Sequence, residues 1–485
     1  MNGKRGWATT ALGTVCALMC SDPAPAHAQP RYGGGERDAQ PTKATLAIVG
    51  GMLVDGHENP PVPHSLILVD GNRIVAVGTK DTLRVPPGTP VVDADGMTVM
   101  PGLIDVHVHL DTIGHTDYQY WHKTYRERMQ EIYAISARQM LLYGVTTAVD
   151  LVGMPDDLVA FRKKLERGEV IGPRILASMG WIGNFSEEFL KNWHRGYQTS
   201  NARTVEEARA FAQKALSLGA EVVKIHSGLT KDQVKAIADE AHLKGAWVTG
   251  HAGGPAELIE RIDAGMNAVE HIGAVAHGAQ VPPEVITALL ARRVHVVPTL
   301  VTDLAQTDAV QWPEFWTDNQ RAKSTMPPEI WADVRRSLEH PGRVLTNFGG
   351  SVRWKSVEAA KAIFRQLHEA GVSLLVGTDA STPLNLKTDA MWREMDAMVQ
   401  YGMTPMEVLA TATRRNAEYI KLGSQLGTIT RGKLADIIVI DGNPLISMRD
   451  LRHVVAVIKD GKVYKGDAAT PAKSPSSAAS NRLRQ

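Results

Sequence analysis

Five stretches of this chain repeat one pattern: a helix, a glycine at its end, then a short β-branched strand that stops on a polar residue. They are "LLYGVTTAVD", "LSLGAEVVKIHSG", "LKGAWVTGHAGG", "DAGMNAVEHIG" and "EAGVSLLVGTDA". Each glycine, such as Gly144 or Gly219, stands where a helix C-terminus takes a left-handed residue. Thr204 with Glu207, Thr230 with Gln233, and Thr404-Pro405 with Glu407 read as helix starts. Helices alternating with buried strands predict a parallel sheet. Counted by their polar ends, the strands finish at His107/His109, Asp150, "RILASMG" (174–180), Lys224, His251, His271, "VHVVPTL" (294–300) and Asp379. Eight such units predict an α/β fold, a closed (β/α)8 TIM barrel over residues 101–425, with its chemistry at the C-terminal strand ends.

Period-2 segments with Asp-Gly turns flank the barrel. "TLAIVGGMLVDG", "SLILVDGNRIVAVG" and "TPVVDADGMTVMPG" precede it, and "KLADIIVIDGNPL" and "HVVAVIKDGKVYKG" follow. They predict one small β-sandwich built from residues 44–100 and 426–466. Residues 302–355 form an insertion between strands seven and eight that holds Trp312, Trp316, Trp331 and Trp354. It reads either as a lid that walls the pocket or as an extra helical layer.

Residues 1–28 read as a secretory leader: Lys4 and Arg5, an apolar run from Trp7 to Met19, then "AHA" ending at Ala28. Lipid modification at Cys20 and twin-arginine export rank below plain cleavage, because Met19 is bulky before the cysteine and Lys-Arg is an imperfect pair. Both cysteines fall inside the leader, which rules out disulfides and thiol chemistry in the mature chain. Losing Lys4, Arg5 and Asp22 with the leader turns 53 basic and 52 acidic residues into equal numbers. That balance gives no bias toward nucleic acid, and the remaining sequence has no apolar stretch long enough to cross a membrane. Segments 29–43 and 467–485 read as a disordered linker and tail. The expected location is periplasmic or secreted. The expected partner is a small-molecule substrate, with a homo-oligomer left open.

"GLIDVHVHLD" (102–111) sets two imidazoles one residue apart in an apolar run. By strand alternation Asp105, His107 and His109 share one face. Buried polar groups so crowded need an organiser, and a cation is the simplest. His107, His109, Lys224, His251, His271 and Asp379 all converge on the predicted barrel mouth, and His226 stands on the same strand face as Lys224.

"PGLIDVHVHL", "VVKIHSG", "VTGHAGG", "AVEHIG", "GTDAST" and "GTITRGKLADIIVIDGNPL" together resemble the amidohydrolase superfamily, in its imidazolonepropionase-like and prolidase-like branch. The resemblance implies two divalent cations, usually Zn2+. His107, His109 and Asp379 would hold the first, and His251 and His271 the second. Lys224 would bridge them as a carbamate derived from carbon dioxide, because an ammonium cannot ligate a cation. The alternative for Lys224 is a salt bridge with Asp150 or Asp379. The implied activity is hydrolysis of the C–N bond of a small amide, dipeptide or N-acyl amino acid by a metal-bridging hydroxide, with Asp379 moving the proton. His226 would steady the oxyanion in place of a tyrosine that some relatives carry. Two departures bear on substrate contacts: a short connection after "KIHSGLTKD", and Trp392 in "AMWREM" where relatives often have histidine. Other readings are a mononuclear deaminase or imidazolone-type cyclic amide hydrolase, against which Lys224 speaks, and a non-catalytic metal-binding relative. If the leader is cleaved as read, N-terminal sequencing of the exported protein finds Gln29 first. An intact residue 1–20 segment on a folded cytoplasmic protein would contradict it.

Overall fold

Both ends of the chain meet in one sheet. In the computed structural model, which describes residues 40–187, 190, 199–311, 316–339 and 354–468, strand Ile437–Ile440 pairs antiparallel with Thr98–Pro101, Ile437 opposite Pro101. The five-stranded sheet runs Lys462–Lys465, Val454–Lys459, Ile437–Ile440, Thr98–Pro101, Met52–Leu53. A four-stranded sheet of Arg73–Thr79, Ser65–Asp70, Leu46–Val49 and Val91–Asp93 lies with it. Alternation supplies the apolar faces, and Ile48, Ile67, Val92, Val99, Ile437 and Ile458 join in one core between the sheets. The leader, the linker up to residue 39, the tail from 469, Trp312 and the Trp354 side chain lie outside the described residues. Among the described residues no helix is long and apolar enough to cross a membrane.

The expected α/β barrel is present. Its strands are β1 (Leu103–Val108), β2 (Val145–Asp150), β3 (Arg174–Ala177), β4 (Val222–Ile225), β5 (Trp247–Gly250), β6 (Ala268–Glu270) and β7 (His295–Val297). β1, β2 and β3 pair in parallel, as do β4 to β7, and Trp181–Gly183 and Thr199–Asn201 extend the edge at β4. The eighth unit, residues 373–380, is too irregular to be a strand, yet it joins β7 to β1. Val296 N–H donates to Ser373 O, Val106 N–H to Val376 O, and Asp379 N–H to His107 O. Gly377 permits this approach, since a Cβ there would meet Val297 Cγ1 at 2.5 Å and His107 Cβ at 2.9 Å. Between β3 and β4, Glu221 N–H donates to Ala177 O and Ala177 N–H donates to Glu221 Oε2 at 3.0 Å, which spans the gap. Ile104, Val106, Leu176, Val222, Trp247, Val297 and Leu375 fill the space beneath the strand ends.

The face assignment in β1 needs correction. Against β2, Asp105 opposes Ala148 and Val108 opposes Asp150, so three residues advance on one strand for two on the other. This bulge resets the alternation. Asp105 therefore leaves the histidine face, and its carboxylate takes the N–H groups of His107 (3.2 Å) and Thr378 (3.0 Å) and the Thr378 hydroxyl (2.6 Å). Burial pushes that carboxyl up to about 7 against those three donors.

Of the insertion's tryptophans, Trp316 and Trp331 are buried in the main core and do not wall the pocket. This part acts as a helical layer, with the Arg393 guanidinium 5.0 Å from the Trp316 ring centre. Among the described residues of the insertion, only the start of its first helix, α1 (Leu300–Gln311), reaches the pocket described below.

Arg174, at the N-terminal end of β3, ties barrel to sandwich through Asp436 (3.0 Å) and Asp460 (2.6 Å). Asp436 is buried, so its loss of a cation leaves an unsatisfied charge. Arg174→Ala is expected to lower stability by about 1–3 kcal/mol with turnover intact, measured by urea unfolding. An unchanged midpoint would contradict this coupling.

Candidate metal centre

The predicted ligands come from different strand ends because the chain turns sharply there. His271 follows β6 with φ of 68°, and Asp379 ends the eighth unit with φ of 55°. Non-glycine residues rarely take this left-handed region, and they cluster at functional sites. The turn at His271 has a consequence for its neighbour. Glu270, which strict alternation would send to the opposite face, also points at the centre.

His107, His109 and Asp379 form a tight trio, with one ligand-type atom from each lying within 4.8 Å of the others. Asp379 Oδ1 stands 2.7 Å from His109 Nε2 and 3.3 Å from His107 Nε2. Burial would raise the Asp379 carboxyl, but the imidazoles of His107 and His109 hold it below its ordinary range. His251 and His271 form the second group, their Nε2 atoms 3.1 Å apart. Burial pushes His107 and His251 well below the ordinary histidine value and lowers His271 as well. Neutral imidazoles are what a cation requires.

Lys224 is 1% exposed, and among the described residues its Nζ has neither a hydrogen-bond partner nor a salt bridge. The pairing with Asp150 or Asp379 is therefore not made. Asp150 is spent on the N–H groups of Leu110 (2.8 Å), Val152 (3.0 Å) and Gly153 (2.5 Å). Burial lowers the Lys224 pKa, opposed by Glu270 and Asp379. An unpartnered amine whose pKa burial lowers, amid five ligand-type groups, fits a lysine that is carboxylated and bound to cations. The orphaned His107 Nε2 fits too.

His226 lies beside the second group, its ring centre 4.2 Å from that of His251, 4.7 Å from Trp181 and 5.0 Å from Phe185. Ser227 N–H donates to its Nδ1 at 2.8 Å, which leaves the ring proton on Nε2. Trp392, by contrast, stands away from the centre. Its indole donates to Asp389 Oδ1 at 3.0 Å, and it shares a crevice with Leu103 at the opposite end of β1. Its substitution for histidine does not alter a contact here.

Several supporting residues were not picked out from the sequence. Glu270 Oε2 accepts from His107 Nδ1 at 2.7 Å, so the Nε2 lone pair of His107 turns to the centre. Thr249 donates to the other Glu270 oxygen. Placing the His271 proton on Nδ1, toward Thr299 Oγ1 at 2.8 Å, leaves its Nε2 lone pair facing His251. The Arg261 guanidinium binds the His251 carbonyl, and Lys387 Nζ binds that of His109 at 2.8 Å. Glu270 stood within "AVEHIG", where its place beside His271 was a signal. Nothing local marks Arg261 or Lys387, because their partners are reached only through the fold.

Two cavities share His271 and Gly273. One of about 290 Å3 is lined by Thr299, Leu300, Thr302, Asp303, Asp379 and Thr382. The other, of about 420 Å3, is lined by Ser227, His251, Glu257, Arg261 and Glu270.

Residues 98–466 match the amidohydrolase family. Ochratoxinase of Aspergillus niger is 23% identical over 479 residues, covering 88% of each chain. The crystal structure of a Xaa-Pro dipeptidase with bound methionine superposes with a TM-score of 0.68 at 25% identity, over 87% of this chain and 100% of that one. Molinate hydrolase superposes with the same TM-score, 0.68, at 23% identity, over 87% of this chain and 94% of its own, and supports the fold alone.

Glu270 sets the tautomer of His107, so Glu270→Gln is expected to weaken binding of the first cation by about 10–100-fold. Zinc titration of the metal-free protein measures this. Wild-type affinity in the variant would refute the orienting role.

Proposed function

The chain belongs to the amidohydrolase family, and from that premise we propose a binuclear hydrolase that cleaves the amide or peptide C–N bond of a small substrate, a dipeptide or N-acyl amino acid. Family membership and the His107/His109/Asp379 trio make it a metal-binding hydrolase in coarser terms. The observation that carries the finer reading is the buried, unpartnered Lys224 Nζ. A neutral Lys224 amine can add to the carbon of carbon dioxide, forming an N–C bond and releasing one proton. The product is an anion whose two oxygens could ligate divalent cations. His107, His109 and Asp379 would hold the first cation and His251 with His271 the second, each as Zn2+. Two bound cations would supply Lewis acidity, polarising a carbonyl and bringing water within reach of deprotonation near neutral pH.

The chain's own groups do the rest. Asp379 Oδ1 lies 2.7 Å from His109 Nε2 and 3.3 Å from His107 Nε2, while Oδ2 accepts from Thr302 Oγ1 at 3.3 Å. Oδ2 can take a proton from the attacking water and return it to the departing nitrogen. His226 would donate from Nε2–H to the carbonyl oxygen as charge develops there. The relatives support this class: one is named as a Xaa-Pro dipeptidase and another as an ochratoxinase. From the leader-like pattern of residues 1–28 we also propose that the enzyme works in the periplasm or outside the cell.

A second reading has its own observation. The trio is the tightest ligand group, and one cation there would suffice for a deaminase or a cyclic amide hydrolase. That reading leaves Lys224 without a task.

Lys224→Ala separates the two. A bridging carbamate predicts a loss of activity of about 100-fold or more, less bound metal, and partial rescue by acetate or propionate in the vacated space. Near-normal hydrolysis across dipeptides and N-acyl amino acids, with full metal content, would overturn the binuclear mechanism.

A further inference from the structure

Glu394 lies in the helix after the eighth unit, α2 (Lys387–Gln400), and is fully buried. Its side chain does not face its own helix. Oε1 accepts from Leu300 N–H at 3.0 Å and Oε2 from Val301 N–H at 2.7 Å. These are the first two amides of α1, donors that a helix leaves without internal partners. The same short segment touches both halves of the centre. Thr299, with φ of 49°, places Oγ1 against His271 Nδ1, and Thr302 Oγ1 donates to Asp379 Oδ2. Leu300, Thr302 and Asp303 line the cavity beside them.

We propose that Glu394 is a positioning residue: by clamping the Leu300 and Val301 amides from across the fold, it fixes the Thr299–Thr302 turn that orients His271 and Asp379. It touches neither ligand and acts only through the two threonines. The side chain suits the task because, although burial pushes its carboxyl up to about 8, its two oxygens lie in one plane against two N–H groups, at a helix end that favours the ionised form. A glutamine keeps the volume but turns an NH2 group toward one amide, so one bond is lost and the turn is released on one side. The consequence for catalysis rests on the hydrolase reading above; the clamp itself does not.

The test combines two readouts on the full-length metal-loaded protein. Hydrogen exchange in Glu394→Gln should show protection of the Leu300 and Val301 amides lowered at least about 10-fold. Metal content should stay at the wild-type level. With the best-hydrolysed dipeptide, kcat should fall about 10–100-fold while KM is held. Thr302→Val should also lower kcat, and adding it to Glu394→Gln should cost little more, because both act along one path. Glu394→Asp, milder in shape, is expected to fall between wild type and Glu394→Gln and serves if the amide variant does not fold. Unchanged amide protection, unchanged kcat, or fully additive losses in the double variant would each overturn the clamp. Exchange needs no substrate. A protein that hydrolyses nothing therefore defeats the functional reading while leaving the clamp to be judged on its own.

Discussion

Burial of the Lys224 amine among ligand-type groups is the constraint on which the centre depends. An ammonium removed from water without a partner costs several kcal/mol even after relaxation, and here none of the described residues offers it one. The same pocket holds His107, His251 and His271, whose pKa values burial lowers, and the Asp379 carboxylate, which the imidazoles of His107 and His109 favour in its ionised form. As protein alone, such an arrangement leaves orphaned atoms: Lys224 Nζ, His107 Nε2 and His109 Nδ1. Bound cations would resolve the conflict, converting lone pairs that face one another into bonds and favouring an anionic form of Lys224.

Each ligand is also held from behind. Glu270 and Thr299 fix ring tautomers, Arg261 and Lys387 bind the carbonyls of His251 and His109, and the Asp105 carboxylate pins the amides of His107 and Thr378. Buried cations on the outside of the strand ends and buried carboxylates beside them keep the centre rigid in a low-dielectric surround. The barrel supplies the positions and the outer residues supply the orientations.

The repeating helix, glycine and strand unit made the α/β barrel legible, because a period of that kind has few other solutions. The polar residue at each strand end made the candidate ligands legible, and the structure brings His107, His109, Lys224, His251, His271 and Asp379 to one mouth. Failures came where local pattern does not see tertiary context. Alternation misplaced Asp105, because a bulge in β1 is invisible in an unbroken apolar run. Trp316 and Trp331 looked like pocket walls, yet they fill the core beneath the insertion. Trp392 looked like a substrate contact and faces the other end of the barrel. Asp150 marked a strand end without serving the centre, since its carboxylate is saturated by backbone amides. Arg261, Lys387 and Glu394 bond residues that are far from them in sequence or hidden by the fold, so no spacing announced them.

The central claim is a carbamate shared between two cations, and it is tested most directly on purified mature protein equilibrated with 13C-labelled bicarbonate. Elemental analysis and 13C NMR on the same sample are predicted to give two divalent cations per chain and one labelled carbamate carbon, both lost together when carbon dioxide and metal are stripped. A single cation per chain with no carbamate signal would contradict the account.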